Sequence, residues 1–364
     1  MRILFITPYP AGKAPSQRFR FEQYLKHLRN AGNEITFRSF LSKNAYSRFY
    51  LKGKFLLKFM DICRGFINRW LILTELSNYD YVFIHREMAP IGPPLFEWIA
   101  SRVFKSRFIF DFDDAIWMSD LNNPRWKKLL KQYNKVGIIC SLSSKVVCSN
   151  AFLHSYVTKF NSQVDLIPTT IDTHYHKPIS IFKSYGKQKT IVGWTGSHST
   201  LKYIDGIEEI LDPVADKYPV EFLVICNEKP KLQRSYLYFK PWRIESEIPD
   251  LLSIDIGIMP MPDNDWTKGK AGFKLLQYMA LEIPPIASPV GVNTEIITDG
   301  ENGFLCESTD EWQEKLIYLI ENPPMREIIG REGRKTVCEN YSVQANLNKF
   351  LDLFRSSESI KNKK

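Results

Sequence analysis

Short apolar runs alternate with longer amphipathic stretches from one end of this chain to the other, and that rhythm builds parallel strands joined by helices. In the first half, strands are expected at Arg2–Thr7, Glu34–Phe37, Tyr81–His85, Arg107–Asp111, Val136–Cys140, Lys145–Cys148 and Val164–Ile167. In the second half they are expected at Thr190–Thr195, Val220–Cys226, Ile254–Pro260, Pro285–Ala287 and Gly303–Cys306. Each half therefore has strands enough for its own doubly wound α/β sheet. Single cores usually stop growing at about 250 to 300 residues, and the chain has 364. Two domains are expected, at residues 1–178 and 188–340, with Pro168–Gln188 as the linker because it holds two prolines and no helical period. Leu347, Phe350, Leu351 and Phe354 recur at helical spacing, which predicts a final helix within residues 341–358.

The net charge of +9 is unevenly placed. Residues 1–200 hold 29 Lys and Arg against 13 Asp and Glu, a balance of +16, whereas residues 201–364 balance at −7. The first domain is thus expected to face an anionic surface or ligand. No basic-aromatic module of nucleic-acid-binding spacing accompanies that charge, so no nucleic-acid partner is expected. The six cysteines are scattered, without a CxxC or a Cys/His cluster, as in a reduced cytoplasmic protein. The opening apolar run stops at Thr7 without a small-residue cleavage site, and no run approaches the ~18–20 apolar residues of a spanning helix. A soluble or peripheral protein is expected.

Ligands of open parallel sheets bind beyond the carboxyl ends of the strands, so chemistry is sought in loops that follow strands. The first such loop, Pro8–Arg20, has one glycine and is neither a GxGxxG nor a P-loop. Ser16 can cap a helix whose positive end, with Lys13, Arg18 and Arg20, suits an anion; a solvated basic turn reads equally well. The second loop, Asp111-Phe112-Asp113-Asp114, sets three carboxylates in four residues. Mutual repulsion should raise at least one pKa and yield a general base. A divalent-metal site or a helix cap would use the same residues. His85, Arg86 and Glu87, which follow Tyr81–Ile84, are further candidates.

In the second half, Gly193-Trp194-Thr195-Gly196-Ser197-His198-Ser199-Thr200 has the small residues that let backbone amides approach a phosphate, with Ser199 or Thr200 as a cap and Lys202 in the helix that follows. The most specific run is Lys268-Gly269-Lys270-Ala271-Gly272-Phe273-Lys274-Leu275-Leu276-Gln277-Tyr278-Met279-Ala280, continued by Ser288-Pro289-Val290-Gly291-Val292-Asn293. A helix expected near Lys270, a strand, and a glycine loop opening another helix would bring two helix N-termini and three lysines to one anionic group.

The run from Gly269 to Asn293, with Glu295–Gly303 after it, resembles family 4 of the retaining nucleotide-sugar glycosyltransferases. Those enzymes have the GT-B fold, two facing Rossmann-like domains with the final helix crossing back to the first. The resemblance implies a nucleoside-diphosphate sugar as co-substrate, a glycan or lipid-linked acceptor, and a setting in polysaccharide or lipopolysaccharide assembly. No metal or other cofactor is implied. It places Gln277 at the second glutamate of the family's E-x7-E motif and Gly269 at the first, so both carboxylates are absent. The donor is assigned to Thr195, Gly196, Ser197, Lys202, Trp242, Arg243, Lys270, Phe273, Lys274, Gln277, Pro289, Val290, Gly291 and Val292. On the acceptor side stand Ser16, Arg18, His85, Arg86, Glu87, Asp111 and Asp114. Asp113 aligns with a histidine near the family's reaction centre and is expected to recognise the acceptor or remove its proton. A nucleotide-sugar epimerase and a non-catalytic sugar-nucleotide-binding scaffold are the competing readings.

Residues 43–69 interleave Lys43, Arg48, Lys52, Lys54, Lys58, Arg64 and Arg69 with aromatic and aliphatic residues. An interfacial helix on an anionic bilayer has this make-up, each cation contributing about 1 kcal/mol near the surface. A partner's groove, or the domain's own core, would also take up the aromatics.

Overall fold

The computed structural model describes residues 1–49, 51–118, 125, 130–179 and 189–355. The chain forms two compact units, Met1–Thr169 with Asn346–Lys364, and Thr170–Ala345. Where a linker was expected from Pro168, Ile171 already belongs to the second unit: its N–H donates to the Tyr341 carbonyl (2.9 Å) and its own carbonyl accepts from Val343 (3.1 Å). Residues 180–188 of that stretch, and 356–358 of the expected final helix, lie outside the described residues.

Each unit is built on a six-stranded parallel sheet. In the first, β1 (Arg2–Thr7), β2 (Glu34–Ser39), β3 (Tyr81–His85), β4 (Phe108–Phe112), β5 (Lys145–Cys148) and β6 (Val164–Leu166) are ordered β2-β1-β3-β4-β5-β6. In the second, β7 (Thr190–Thr195), β8 (Val220–Cys226), β9 (Leu237–Pro241), β10 (Ile256–Met259), β11 (Pro285–Ala287) and β12 (Phe304–Leu305) are ordered β12-β11-β10-β7-β8-β9. Strands covered on both faces need unbroken apolar runs, and Ile3-Leu4-Phe5-Ile6 and Val82-Phe83-Ile84 are buried throughout. The strand order reverses between β1 and β3 and again between β7 and β10, so the loops leaving these strands open a crevice at each point.

The last helix, Val343–Asp352, delivers Phe350 to the first unit, where its ring stacks on Tyr24 at 4.2 Å, and Phe354 just beyond it meets Tyr81 edge-on at 5.8 Å. The second unit's core gathers Trp194, Phe222, Val224, Ile258, Ile286 and Trp312 between the sheet and its helices.

Two elements depart from expectation. Val136–Cys140 is part of a helix, Lys135–Leu142, not a strand. A short apolar run has no period that separates the two states, and here Asn161 settles the matter by donating to the Cys140 and Ser143 carbonyls (2.8 Å each) at the helix end. Leu237–Pro241, unassigned from its mixed pattern, is the edge strand β9, where a proline is tolerated.

Candidate functional site

In the second unit the site is assembled around the helix Phe273–Ala280, which starts three residues later than expected because Gly272 takes a left-handed conformation (φ 64°). A Cβ there would lie 2.5 Å from Ile296 and 2.9 Å from Val292, so only glycine lets these loops close. The helix is locked to the sheet by Tyr278. Its ring lies where a Cβ on Gly257 would be (2.5 Å), and its hydroxyl accepts from the Thr195 N–H at 3.0 Å, with the Gly193 and Ile258 carbonyls each 3.4 Å away. Burial pushes the phenol's pKa up, so it remains a neutral donor.

This lock sets the first turn of the helix beside the carboxyl end of β7. The Lys274 ammonium lies 5.3 Å from the centre of the Trp194 ring, and a Cβ on Gly196 would meet that same ring at 2.4 Å. Lys274 and Gly196 thus share the Trp194 ring as a neighbour, and Thr195 is tied to the same helix through Tyr278. The loop between β11 and the short helix Asn293–Ile296 closes on the preceding turn, Asp265–Lys268: Gly291, at φ 56°, approaches the Lys268 backbone so closely that a Cβ would stand 2.9 Å from its Cα and carbonyl oxygen. Lys270 lies 4.7 Å over the Trp266 ring. An eight-residue helix with no acid in its first turn and no capping side chain presents a positive end at this point.

Several expectations are corrected. The second helix N-terminus is only the single turn Asn293–Ile296, too short for a sizeable dipole. After β7, Leu201–Ile204 is a four-residue 3-10 turn, and neither Ser199 nor Thr200 caps it; Ser197 and Ser199 hydrogen-bond each other (2.8 Å). Lys202 is exposed and lies 5.7 Å over its neighbour Tyr203. Val290 and Val292 are buried in the core and have only backbone to offer a ligand, while Pro289 and Phe273 are half-buried beside them. Of the three lysines, Lys268 is paired with Asp263 (3.1 Å). Gln277 is buried on the helix, and Gly269 ends the preceding turn Asp265–Lys268. At the carboxyl end of β9, the Trp242 indole donates to Glu247 (3.3 Å) and Arg243 is exposed.

In the first unit the candidates gather beyond β1, β3 and β4. The three carboxylates of the Asp111 loop do not face one another unpaired: Asp111 is paired with Arg20, and Asp113 and Asp114 share Arg86. Asp111 is almost fully buried, ion-paired with Arg20 and 2.8 Å from His85 Nδ1. Burial pulls its pKa up, but Arg20 and His85 outweigh this and hold it below the usual carboxylate range. Asp111 is therefore no general base. Arg20 cannot serve a solvent anion either, since its other terminal nitrogen donates to the Ile167 carbonyl (2.6 Å).

Arg86 stands at the end of β3 in a left-handed conformation (φ 63°), which a side chain of this size adopts only when its surroundings enforce it. Its N–H donates to the Asp111 carbonyl (2.7 Å), and one terminal nitrogen reaches both Asp113 (2.7 Å) and Asp114 (2.8 Å). Burial would lower its pKa, but the two carboxylates more than reverse that. Asp113 keeps part of its carboxylate in solvent, its side chain 12% exposed. Glu87 is paired with Lys135 (2.8 Å). Ser16 lies inside the turn Pro15–Arg18, whose cap is Ala14, so it caps nothing; Gln17 fixes the loop by exchanging hydrogen bonds with the Tyr9 backbone (3.0 Å each way). Arg18 lies 4.8 Å over Phe19. Among the described residues, no three His, Cys, Asp or Glu are grouped to hold a metal ion.

Sequence reasoning overlooked two parts of this site. The motif gives Tyr278 no role, although Lys274 and Tyr278 share a helix face four residues apart. Trp117, after the aspartates, stacks on Tyr156 at 3.7 Å and 3°, a contact across 39 positions that no local pattern announces.

The two doubly wound units define the chain as a protein of GT-B fold, and structural likeness runs over its whole length. Sucrose-phosphate synthase from Thermosynechococcus elongatus superposes with a TM-score of 0.73 over 99% of this chain and 100% of that one, at 13% identity. Anabaena Alr3699/HepE in complex with UDP and glucose gives 0.66 over all of both chains, also at 13% identity. Residues 199–336 match the family model described as glycosyl transferases group 1. A trehalose synthase from Thermococcus litoralis is 29% identical over 312 residues, covering 78% of this chain and 71% of its own.

Proposed function

We propose that the chain transfers a sugar, with retention at the anomeric carbon, from a nucleoside-diphosphate sugar to a hydroxyl of a glycan or lipid-linked acceptor. Its setting in this reading is cell-surface polysaccharide assembly at the cytoplasmic face of an anionic membrane. The observation that carries the reading is the junction of Thr195, Gly196 and Lys274 at the positive end of the helix Phe273–Ala280. In the reaction the bond from the anomeric carbon to the diphosphate oxygen breaks, a bond to the acceptor oxygen forms, and the acceptor's proton leaves. Lys270, Lys274 and the helix amides stabilise the charge that develops on the diphosphate, so the leaving group needs no metal. Gln277 hydrogen-bonds the ribose diol in place of a glutamate, and Trp242 or Arg243 contacts the base. The acceptor side falls to the first unit, where Asp113, oriented by Arg86, recognises the hydroxyl and takes its proton.

Release of nucleoside diphosphate from UDP, GDP, ADP and dTDP sugars, with and without a lipid extract as acceptor, tests this. One donor should turn over with EDTA present, and the product should keep the donor's anomeric configuration by NMR. Inversion, or turnover abolished by EDTA, would sink the respective part. The glycine at 269 and glutamine at 277 favour a second reading, a sugar-nucleotide-binding scaffold, which predicts donor binding without turnover.

A further inference from the structure

The helix Phe55–Glu75 is apolar on two faces. One face packs on its own unit. Gly65 comes so near Phe40 that a Cβ would lie 2.6 Å from the ring, and Ile72 and Leu73 are buried. Arg69, expected among the cations that meet an anionic bilayer, is instead fully buried in the same face and donates to the carbonyls of Met88 (2.6 Å) and Thr7 (2.8 Å). The other face is turned to solvent. At about 100° per residue, Leu56, Phe59, Ile67, Trp70 and Leu71 fall within about 120° of arc that holds no Lys, Arg, Asp or Glu of the helix, and Phe55 projects at the helix's first residue. Phe55 is 82% exposed, Leu56 73% and Phe59 63%. Trp70 meets Phe96 of the next helix, Leu95–Arg102, at 5.3 Å, and that helix adds an exposed Trp98 to the patch.

A helix whose inner face is already packed, and which still turns a stripe of exposed aromatic and aliphatic side chains outward, presents a docking surface. Charge selects the occupant. Lys52, Lys54 and Arg64 are exposed around the patch, and the nearby Asp61 is neutralised by Arg48 (2.7 Å). A second copy would press these cations against themselves, whereas a bilayer offers an apolar boundary beneath anionic headgroups. Among the described residues no helix is long and apolar enough to cross a membrane.

We infer that the outer face of Phe55–Glu75 inserts into the apolar boundary of an anionic lipid bilayer, lying in its surface. This deepens the membrane part of the reading above and shifts its basis. Acyl burial of aromatic side chains, more than attraction of cations, holds the protein there.

The test is co-flotation of the full chain with vesicles of phosphatidylcholine, alone and mixed with phosphatidylglycerol. Wild type is expected to float with the mixed vesicles, to stay largely bound when salt is raised after binding, and to show blue-shifted tryptophan emission. Phe55→Ser/Phe59→Ser should lower the partition constant at least about tenfold, and Phe55→Leu/Phe59→Leu should restore it. Three results overturn the inference: no flotation with either vesicle, equal flotation of the serine variant, or a wild-type dimer that the serine variant dissociates, which would assign the face to a second copy. Donor-induced thermal stabilisation, measured on the same variants, separates the two readings. Its loss in all variants would sink the transferase reading, and lost flotation with that stabilisation intact is charged to insertion alone.

Discussion

Replacing Tyr278 with phenylalanine tests whether the donor site is held in place by the lock described above. The ring and its packing against Gly257 survive the change, and only the hydroxyl is lost. What the hydroxyl leaves behind is the Thr195 N–H, a buried donor at the end of β7 whose acceptor at 3.0 Å is gone. A buried donor left unsatisfied costs about 1–3 kcal/mol. For a cost near 2 kcal/mol, a unit of this length should lose about 4–8 °C in Tm, at roughly 2–4 °C per kcal/mol. Differential scanning calorimetry on the unliganded chain measures this. Nucleoside-diphosphate affinity should fall as well, by less than the stability loss would suggest, because the bound ligand can help to hold the strand end. A Tyr278→Phe protein with wild-type Tm would refute the reasoning, since water or a neighbour would then be satisfying Thr195 without the phenol.

Arg20 and Asp111 should couple strongly: Arg20→Met or Asp111→Asn alone should cost about 3–5 kcal/mol by leaving a buried charge unpaired, and the double variant clearly less than the sum. Additive costs in urea denaturation would contradict the pairing. Because the folded pKa of Asp111 is depressed, its contribution is present above the unfolded value of about 3.9 and disappears as pH falls through the folded value. Glu97 has the opposite sign. Burial raises its pKa against the pull of the Met88 N–H and Lys135, so stability should fall as pH rises from about 4.3 through the folded value. Glu97→Gln keeps an acceptor for Met88 and should remove that fall, and parallel Tm-versus-pH curves for the two proteins would contradict it.

The strands were legible because parallel sheets demand apolar runs, and loops after them were the right places to look. What could not be read were partners far apart in the chain. Asp111, Asp113 and Asp114 look mutually repulsive in sequence because Arg20 and Arg86, which neutralise them, lie 91 and 27 or 28 positions away. Arg69 looked like one more outward cation until the backbone of Thr7 and Met88 supplied it with acceptors. The motif run from Gly269 to Asn293 was informative because its loop closures lie within it or beside it, Gly272 on Val292 and Gly291 on Lys268, whereas the bond of Tyr278 to Thr195 spans 83 positions and was not legible. The start of its helix was misplaced only because a left-handed glycine cannot be told from a helical one by composition.

The central claim is that the turn at Lys274, with Thr195, Gly196 and the Gly291 loop, holds the diphosphate of a sugar nucleotide. Thermal shift of the full chain against UDP, GDP, ADP and dTDP and their sugars measures it most directly, because a ligand of the folded state raises Tm by mass action. One nucleotide class should stabilise the wild type. Lys274→Ala should leave the unliganded Tm near wild type and weaken that nucleotide about 10- to 100-fold, the value of one charged hydrogen bond. Stabilisation by none of these ligands, or an unchanged affinity in Lys274→Ala, would contradict the account.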